Sequence, residues 1–425
     1  MRSRFFTGLW AHPDFVRLWL GTTTSTFGTL IGGLALSFTA IVFLDASAAE
    51  VAVLGACQLV PGFFISPFAG VWVDRLRRRP IMIASDLGRA AALFSVPIAA
   101  VFGGLTTWQL FAVAAVNSAL SVLFAAAYQS YLPTLVDRSE LLEGNAKLAG
   151  TASVAEVASF SLSGWLVQLL KAPGALAIDA TTFVISAYYV WRIEQPEPEP
   201  ERDGSEEHFW REAKAGARIV ASNGVLRALA IAEAAQSMAE KVLTTVFLLY
   251  LNGELGFSPG VLGVIFAVGG VTSLGGAYLA NRGVLFFGGV GPTLAVCSFM
   301  RGTGALFMPL CMSNSWAGIA LLVANQVVSD PFWSLYEIHD VSLRQGITPE
   351  RFQGRMFANF RLLNFGFAVV GTVIGGVLGT LIGFRETLFV AVGLMYVSVL
   401  VLTLSPVVRV KNADGARIVD PGRAA

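Results

Sequence analysis

Ionisable and amide side chains recur at helical spacing inside stretches that are otherwise apolar. Glu233, Gln236, Ser237, Glu240, Lys241 and Thr244 follow one another at intervals of one to four residues that place all six on one face of a helix. Asn325, Gln326, Ser329, Asp330, Tyr336, Glu337 and Asp340 form a second stripe, with Pro331 placed to kink it and His339 off its line. An ionisable side chain at the centre of a spanning helix costs ~2.5–3.5 kcal/mol on insertion scales, so each marks a functional candidate. The chemistry open to such stripes is hydrogen bonding to a guest and exchange of protons. Bond-breaking chemistry is not indicated: the chain has no glycine-rich phosphate loop, no triad-like nucleophile arrangement and no His/Cys cluster at metal-ligand spacing. No enzyme activity, cofactor, metal or nucleic-acid partner is therefore expected.

Glu156, Glu233 and Glu240 are the proton-exchange candidates. Glu233 and Glu240 could instead belong to a structural network in which Lys241 pairs with a carboxylate on a neighbouring helix. Glu156 lies mid-run, where a structural bond to the first or eighth run is the competing reading. Gln236, Lys241, Gln326, Asp330 and Tyr336 are candidates to line a water-filled substrate cavity between two halves of the chain. Thr29, Asn117 and Ser121 offer neutral hydrogen bonding from the N-terminal half and suit helix packing equally. Asp179 is expected to hold the sixth run in place, and Arg301 to neutralise a buried carboxylate. Glu337 and Asp340 lie near one end of their run, where a gating ion pair and a coupling site are both open. His339 titrates near neutrality in water but reads as an interfacial residue without a special role.

These residues need membrane helices to position them. The chain has 425 residues, 55% hydrophobic and 13% charged, with a mean hydropathy of +0.67. Soluble domains carry about 25% charged residues, and apolar surface on this scale is hidden only in lipid. A span needs about 20 apolar residues, and twelve such runs occur. They lie near 17–44, 50–73, 80–102, 107–132, 146–169, 174–193, 225–251, 259–281, 287–311, 315–340, 357–382 and 386–408. The first is too long for the core of a signal peptide. With the N-terminus in the cytoplasm, 23 of the 29 Lys and Arg fall in inside segments and only Lys171 and Arg385 outside. That asymmetry places both termini in the cytoplasm. The three cysteines all fall in apolar runs and read as small core residues.

The expected organisation is a six-helix bundle over 1–193, a cytoplasmic linker over 194–224, a second six-helix bundle over 225–408 and a tail over 409–425. Residues 194–208 are acidic and proline-rich, which predicts an extended or disordered segment. Residues 209–223 predict a short amphipathic surface helix. The halves echo each other: Ser139-Glu140 and Pro349-Glu350 are 210 residues apart, and Arg89 and Arg301 are 212 apart.

The join between the second and third runs is the sharpest motif. Arg75, Arg77, Arg78 and Arg79 crowd it, with Gly70 and Asp74 before them and Asp86 and Arg89 one to two turns inside the next run. Gly70 allows close helix approach, Asp74 can bond helix termini or the arginines, and Asp86 is near enough to join them. The pattern Gly70-x-x-x-Asp74-Arg75-x-x-Arg78-Arg79 resembles the loop signature of the major facilitator superfamily, with Arg77 where that family usually has glycine. Two parallel six-helix repeats joined by a long cytoplasmic loop resemble the same family's plan. The phrases Leu132 to Leu141, Ile178-Asp179-Ala180 and Arg351-Phe352-Gln353-Gly354-Arg355 are similar to a bacterial exporter branch containing the enterobactin exporter, macrolide efflux and secretion effector proteins. The resemblance implies an all-α membrane protein of twelve transmembrane helices in two pseudo-symmetric bundles, in a bacterial cytoplasmic membrane. It also implies that Gly70, Asp74, Arg75, Arg78, Arg79, Asp86 and Arg89 form a conformational switch. The implied activity is proton-coupled efflux of a small amphipathic compound by alternating access, with protons, substrate and lipids as partners and a monomer as the working unit. Import, lipid flipping, and a non-transporting scaffold or receptor are the alternatives. In the fifth run only Gly164 remains of the glycine- and proline-containing motif common in drug:proton antiporters.

Overall fold

A computed structural model of the chain describes residues 8–136, 140–197 and 217–411. The side chains of Gly70, Asp74, Arg75 and Glu156, four of the residues singled out above, lie outside that description. Among the described residues the chain is helical throughout its ordered elements, with no strand.

The helices start where the sequence supplies caps. α1 is Pro13–Phe38, with proline at its first position, and it continues into a π-helical turn Thr39–Phe43. α2 is Ala48–Arg75, and Ser47 and Glu50 close a reciprocal capping box at its start. α3 is Arg78–Val101, and α4 is Thr107–Leu135 capped by Thr106. The element Leu141–Trp191 breaks at Lys171, whose φ of 59° leaves the helical region, two residues before Pro173. Its arms are α5 (141–170) and α6 (172–191).

α7 is Gly224–Leu248, capped by the Asn223 side chain, and continues into a second π-helical turn Leu249–Glu254. α8 is Pro259–Tyr278, followed by a short helix Ala280–Phe287. α9 is Val290–Ala305, with a one-turn extension Phe307–Leu310. α10 is Trp316–Ile347 and α11 is Glu350–Leu381. Gly383, at φ 96°, makes the turn into α12, Phe384–Leu404.

Among the described residues nine stretches are long and apolar enough to cross a membrane. α7 and α10 are not among them, because the polar stripes that mark them for function also lower their hydropathy. Internal repetition shows in the elements themselves: the two π-helical turns begin at Thr39 and Leu249, 210 residues apart, and α3 and α9 begin 212 apart.

The chain divides into two compact units, 1–204 with 258–264, and 205–257 with 265–425. In the first, α1 packs along the Leu141–Trp191 element, α3 packs on that element and on α4, and α2 packs on α4. Phe15, Leu18, Met82, Tyr131 and Val190 are fully buried in its core. In the second, α7 packs on α11 and α12, and α9 on α10 and α12. Leu226, Leu229, Leu294, Met356 and Leu402 are buried there. The cysteines are unpaired, and Cys297 and Cys311 are buried.

Two features refine the expectations. First, the start of the acidic linker, expected to be extended or disordered, is pinned at 194–195. Asp14 accepts from the backbone N–H of Glu194 and Gln195 at 3.1 and 3.0 Å, and the Gln195 amide donates to the Thr134 carbonyl at 2.8 Å. The remainder, 198–216, lies outside the described residues, and of the proposed surface helix only 217–222 is described, as helix. Secondly, α10 extends to Ile347, seven residues past the apolar run, and α11 begins at Glu350, seven before it. Arg344 and Arg355, counted above as loop charges, are therefore helical.

Candidate functional site

The polar stripes of α7 and α10 meet in the second unit. The Asn364 side chain on α11 donates to Glu233 Oε1 at 3.0 Å and accepts from Ser237 Oγ at 2.7 Å, fastening α7 to α11. Glu233 Oε2 is 3.4 Å from Arg344 Nη2, and the same nitrogen pairs with Asp340 one turn earlier on α10. Arg344 and Asp340 are buried, and the guanidinium lies over the Phe360 ring at 4.4 Å. One cation thus serves two carboxylates in a nearly dry setting, which holds only where geometry and hydrogen bonds repay desolvation. Glu337, half-buried on the same helix, is within electrostatic reach of Glu233, Arg301 and Arg344.

Arg301 on α9 makes the second link. It pairs with Glu240 at 3.4 Å, sits 5.8 Å from the Tyr336 ring centroid, and has its backbone carbonyl held by Ser329 Oγ at 3.1 Å. Arg301 is buried while the Glu240 side chain is 47% exposed. Asp330 and Gln326 crowd Gly269 on α8, where a β-carbon would overlap the Asp330 carboxylate.

Some hydrogen-bonding capacity is left over. Both amide atoms of Gln236 and the hydroxyl of Tyr336 are buried with no hydrogen-bond partner among the described residues. Buried polar groups are nearly always satisfied, so these atoms beside a charged cluster stand out as unspent hydrogen-bonding capacity.

In the first unit, Arg89 pairs with Asp86 on its own helix and donates to Ser121 Oγ at 3.3 Å. Ser121 thus belongs to the Arg89 cluster. Asp179 is buried against Gly28 and Gly32 of α1. Arg78 and Arg79 lie elsewhere: their backbone N–H groups donate to the two carboxylate oxygens of Glu197, at 2.5 and 3.2 Å. The Arg79 side chain donates to the carbonyls of Val190 and Trp191 at the end of α6. Arg78 and Arg79 thus meet Glu197 and the end of α6 while Asp86 and Arg89 meet each other; the side chains of Gly70, Asp74 and Arg75, which belong to the expected network, lie outside the description.

Several other expectations are corrected or refined. Lys241 forms no ion pair among the described residues; Arg301 is the partner of Glu240. Thr29 spends its hydroxyl on the Ser25 carbonyl of its own helix, at 2.8 Å. Asn117 keeps a buried amide oxygen without a partner among the described residues. His339 is buried. Asp340, for which the sequence leaves a gating ion pair and a coupling site both open, pairs with Arg344 on its own helix. Sequence reasoning missed Arg344, Asn364 and Glu197. The i, i+4 spacing of Asp340 and Arg344 was a usable signal; nothing local points to the other two.

The family profile described as Major Facilitator Superfamily matches residues 18–336. Macrolide efflux protein A of Streptococcus pyogenes is 24% identical over 360 residues, covering 81% of this chain and 84% of that protein. An uncharacterized MFS-type transporter of Bacillus subtilis, YfiS, is 23% identical over 403 residues, 90% of each chain. The crystal structure of the nucleoside transporter NupG superposes with a TM-score of 0.71 at 14% identity, covering 92% of this chain and 98% of that one. An inward-facing bacterial homologue of the iron transporter ferroportin gives 0.70 at 17% identity, covering 92% and 98%.

Proposed function

The chain belongs to the major facilitator superfamily, and from that premise we propose that it exports a small amphipathic compound in exchange for protons. The observation that carries this reading is the buried, partly unsatisfied polar cluster of the second unit. Gln236 and Tyr336 offer free hydrogen-bonding atoms beside the Glu233–Arg344–Asp340 and Glu240–Arg301 links. A scaffold has no use for ionisable groups held at that cost. Relatives named for macrolide efflux support the outward direction and an amphipathic cargo.

Glu156, Glu233 and Glu240 are the proposed proton carriers, taking protons from outside and releasing them inside as the protein alternates its access. α7, α9 and α10 together carry Glu233, Glu240, Asp330, Glu337 and Asp340 against Arg227, Lys241, Arg301 and Arg344. That acidic excess favours a cationic or zwitterionic cargo. Gln236, Gln326, Asp330 and Tyr336, with Thr29, Asn117 and Lys241, are the proposed substrate contacts. The full reading is twelve spans, both termini in the cytoplasm, a bacterial cytoplasmic membrane and a working monomer.

The test is flux in proteoliposomes under an imposed pH gradient, screened with cationic dyes, macrolides and siderophores. Flux that follows the gradient is expected, and Glu233→Gln or Glu240→Gln should cut it ~10-fold, within the usual range for coupling between two sites. If Glu156→Gln, Glu233→Gln and Glu240→Gln all keep wild-type flux and pH dependence, the coupling assignment is wrong.

A further inference from the structure

The first unit buries a second ionisable set that the reading above does not use. Asp86 and Arg89 form an ion pair with side chains 0% and 4% exposed. Beyond that pair, the guanidinium carbon of Arg89 lies 4.0 Å from the Phe183 ring centroid and 4.8 Å from that of Phe124, and it donates to Ser121, while its Nε is buried without a hydrogen-bond partner among the described residues. Asp179 sits one helical turn before Phe183 on α6 and is 2% exposed. It has no ion pair among the described residues, and its Oδ1 is buried without a hydrogen-bond partner among them. The neighbouring Thr182 hydroxyl donates to the backbone carbonyl of Asp179 at 2.7 Å, so its hydrogen is already committed.

Two glycines of α1 lie against this carboxyl. A β-carbon on Gly28 would lie 2.6 Å from Asp179 Oδ1, and one on Gly32 would overlap Oδ2. The charged groups near Asp179 are few. α3 offers Asp86 and Arg89 here, and Arg78 and Arg79 only at its far end, against Glu197 and the end of α6. α1 carries only Asp14 and Arg17, at its N-terminal end, paired with each other and with Glu194. The rest of α6 has only Tyr188 and Tyr189, α4 contributes Tyr128 and Tyr131, and α5 has the Glu143–Lys147 pair and Glu156, whose side chain is outside the described residues.

Two carboxyls and one guanidinium sealed from water are electrically balanced when the set holds one proton. We propose that Asp86, Arg89 and Asp179 form a proton site in the N-terminal unit, with Asp179 as the group that binds and releases the proton. This inference rests on the transporter reading. Displacing α1 uncovers the carboxyl; the proton passes from Asp179 to water and leaves the Asp86–Arg89 pair intact. Reseating α1 requires the proton back, so α1 movement and protonation are linked.

Infrared spectra of the full-length protein in lipid nanodiscs, at the pH of transport, test the site without any substrate. Wild type should show one protonated carboxyl that Asp179→Asn lacks. Asp86→Asn should lack it too, because the freed Arg89 charge then balances Asp179; this second variant keeps the test open if Asp179→Asn does not fold. If wild type minus either foldable variant shows loss of an ionised carboxylate only, the site is refuted. Flux tests the role: Asp179→Asn should retain substrate counterflow within ~2-fold while its response to a pH gradient falls ~10-fold, and Asp179→Glu should restore part of that response. Unchanged pH response in Asp179→Asn overturns the coupling role. Wild-type flux that ignores a pH gradient, alongside the infrared signature, would instead defeat the exporter reading and leave the proton site standing.

Discussion

At the scale of single residues, Arg344 organises the C-terminal cluster. Its one guanidinium balances Asp340 and Glu233, and both acids are mostly shielded from water. Removing a partner from a buried pair costs ~3–5 kcal/mol, because the remaining charge keeps its desolvation penalty. Arg344→Leu should therefore lower the melting temperature in detergent sharply, whereas Asn364→Leu, which removes one donor to Glu233, should cost ~1–3 kcal/mol. A thermal-shift series reads both, and a stable Arg344→Leu protein would contradict the assigned pairing. Arg301 is the milder case: its partner Glu240 is half exposed, and water screens their attraction.

At the scale of elements, close helix approach depends on where glycine faces a neighbour. Gly275 and Gly276 are adjacent on α8, but only Gly276 faces α10. A β-carbon there would overlap the Pro331 carbonyl, while one at Gly275 meets nothing within 4 Å. Gly276→Ala should force α8 away from α10 at a cost of ~1–3 kcal/mol, as overpacking does. Gly275→Ala should be neutral or stabilising by up to ~1 kcal/mol through helix propensity. Equal melting temperatures for the two variants would show that the helices do not meet as described. The same logic governs α3, whose N-terminus is closed by the remote Glu197 in place of a local Ser or Asp, binding the arginine turn to the start of the linker.

At the scale of the whole molecule, nine stretches among the described residues suit a membrane by length and composition, and the elements repeat at an offset near 210 residues. In the proposed topology, which rests on the charge asymmetry of the loops, the number of spans is even and both termini are in the cytoplasm. A reporter that fluoresces only in the cytoplasm should be bright when fused to either end, and dark when inserted in the loop near Gly103 and Gly104. Brightness at one terminus only would require an odd span count and remove α7 or α10 from the membrane.

The sequence by itself determined the membrane class, the positions of most helices, the internal repeat and the polar faces of α7 and α10. Those properties are local: hydropathy over about 20 residues decides transfer into lipid, and helical periodicity decides which side chains share a face. It also singled out Glu233, Glu240, Asp330, Tyr336, Asp86, Arg89, Asp179 and Arg301 as individuals. Only the tertiary structure decided their partners. Arg301, and not Lys241, meets Glu240 across 61 positions; Asn364 meets Glu233 across 131; Glu197 meets Arg78 across 119. Two glycines of α1 lie against the Asp179 carboxyl. Such pairings depend on how each helix is rotated and how closely its backbone nears the next, and those are set by packing over the whole bundle, not by any stretch of chain one helix long.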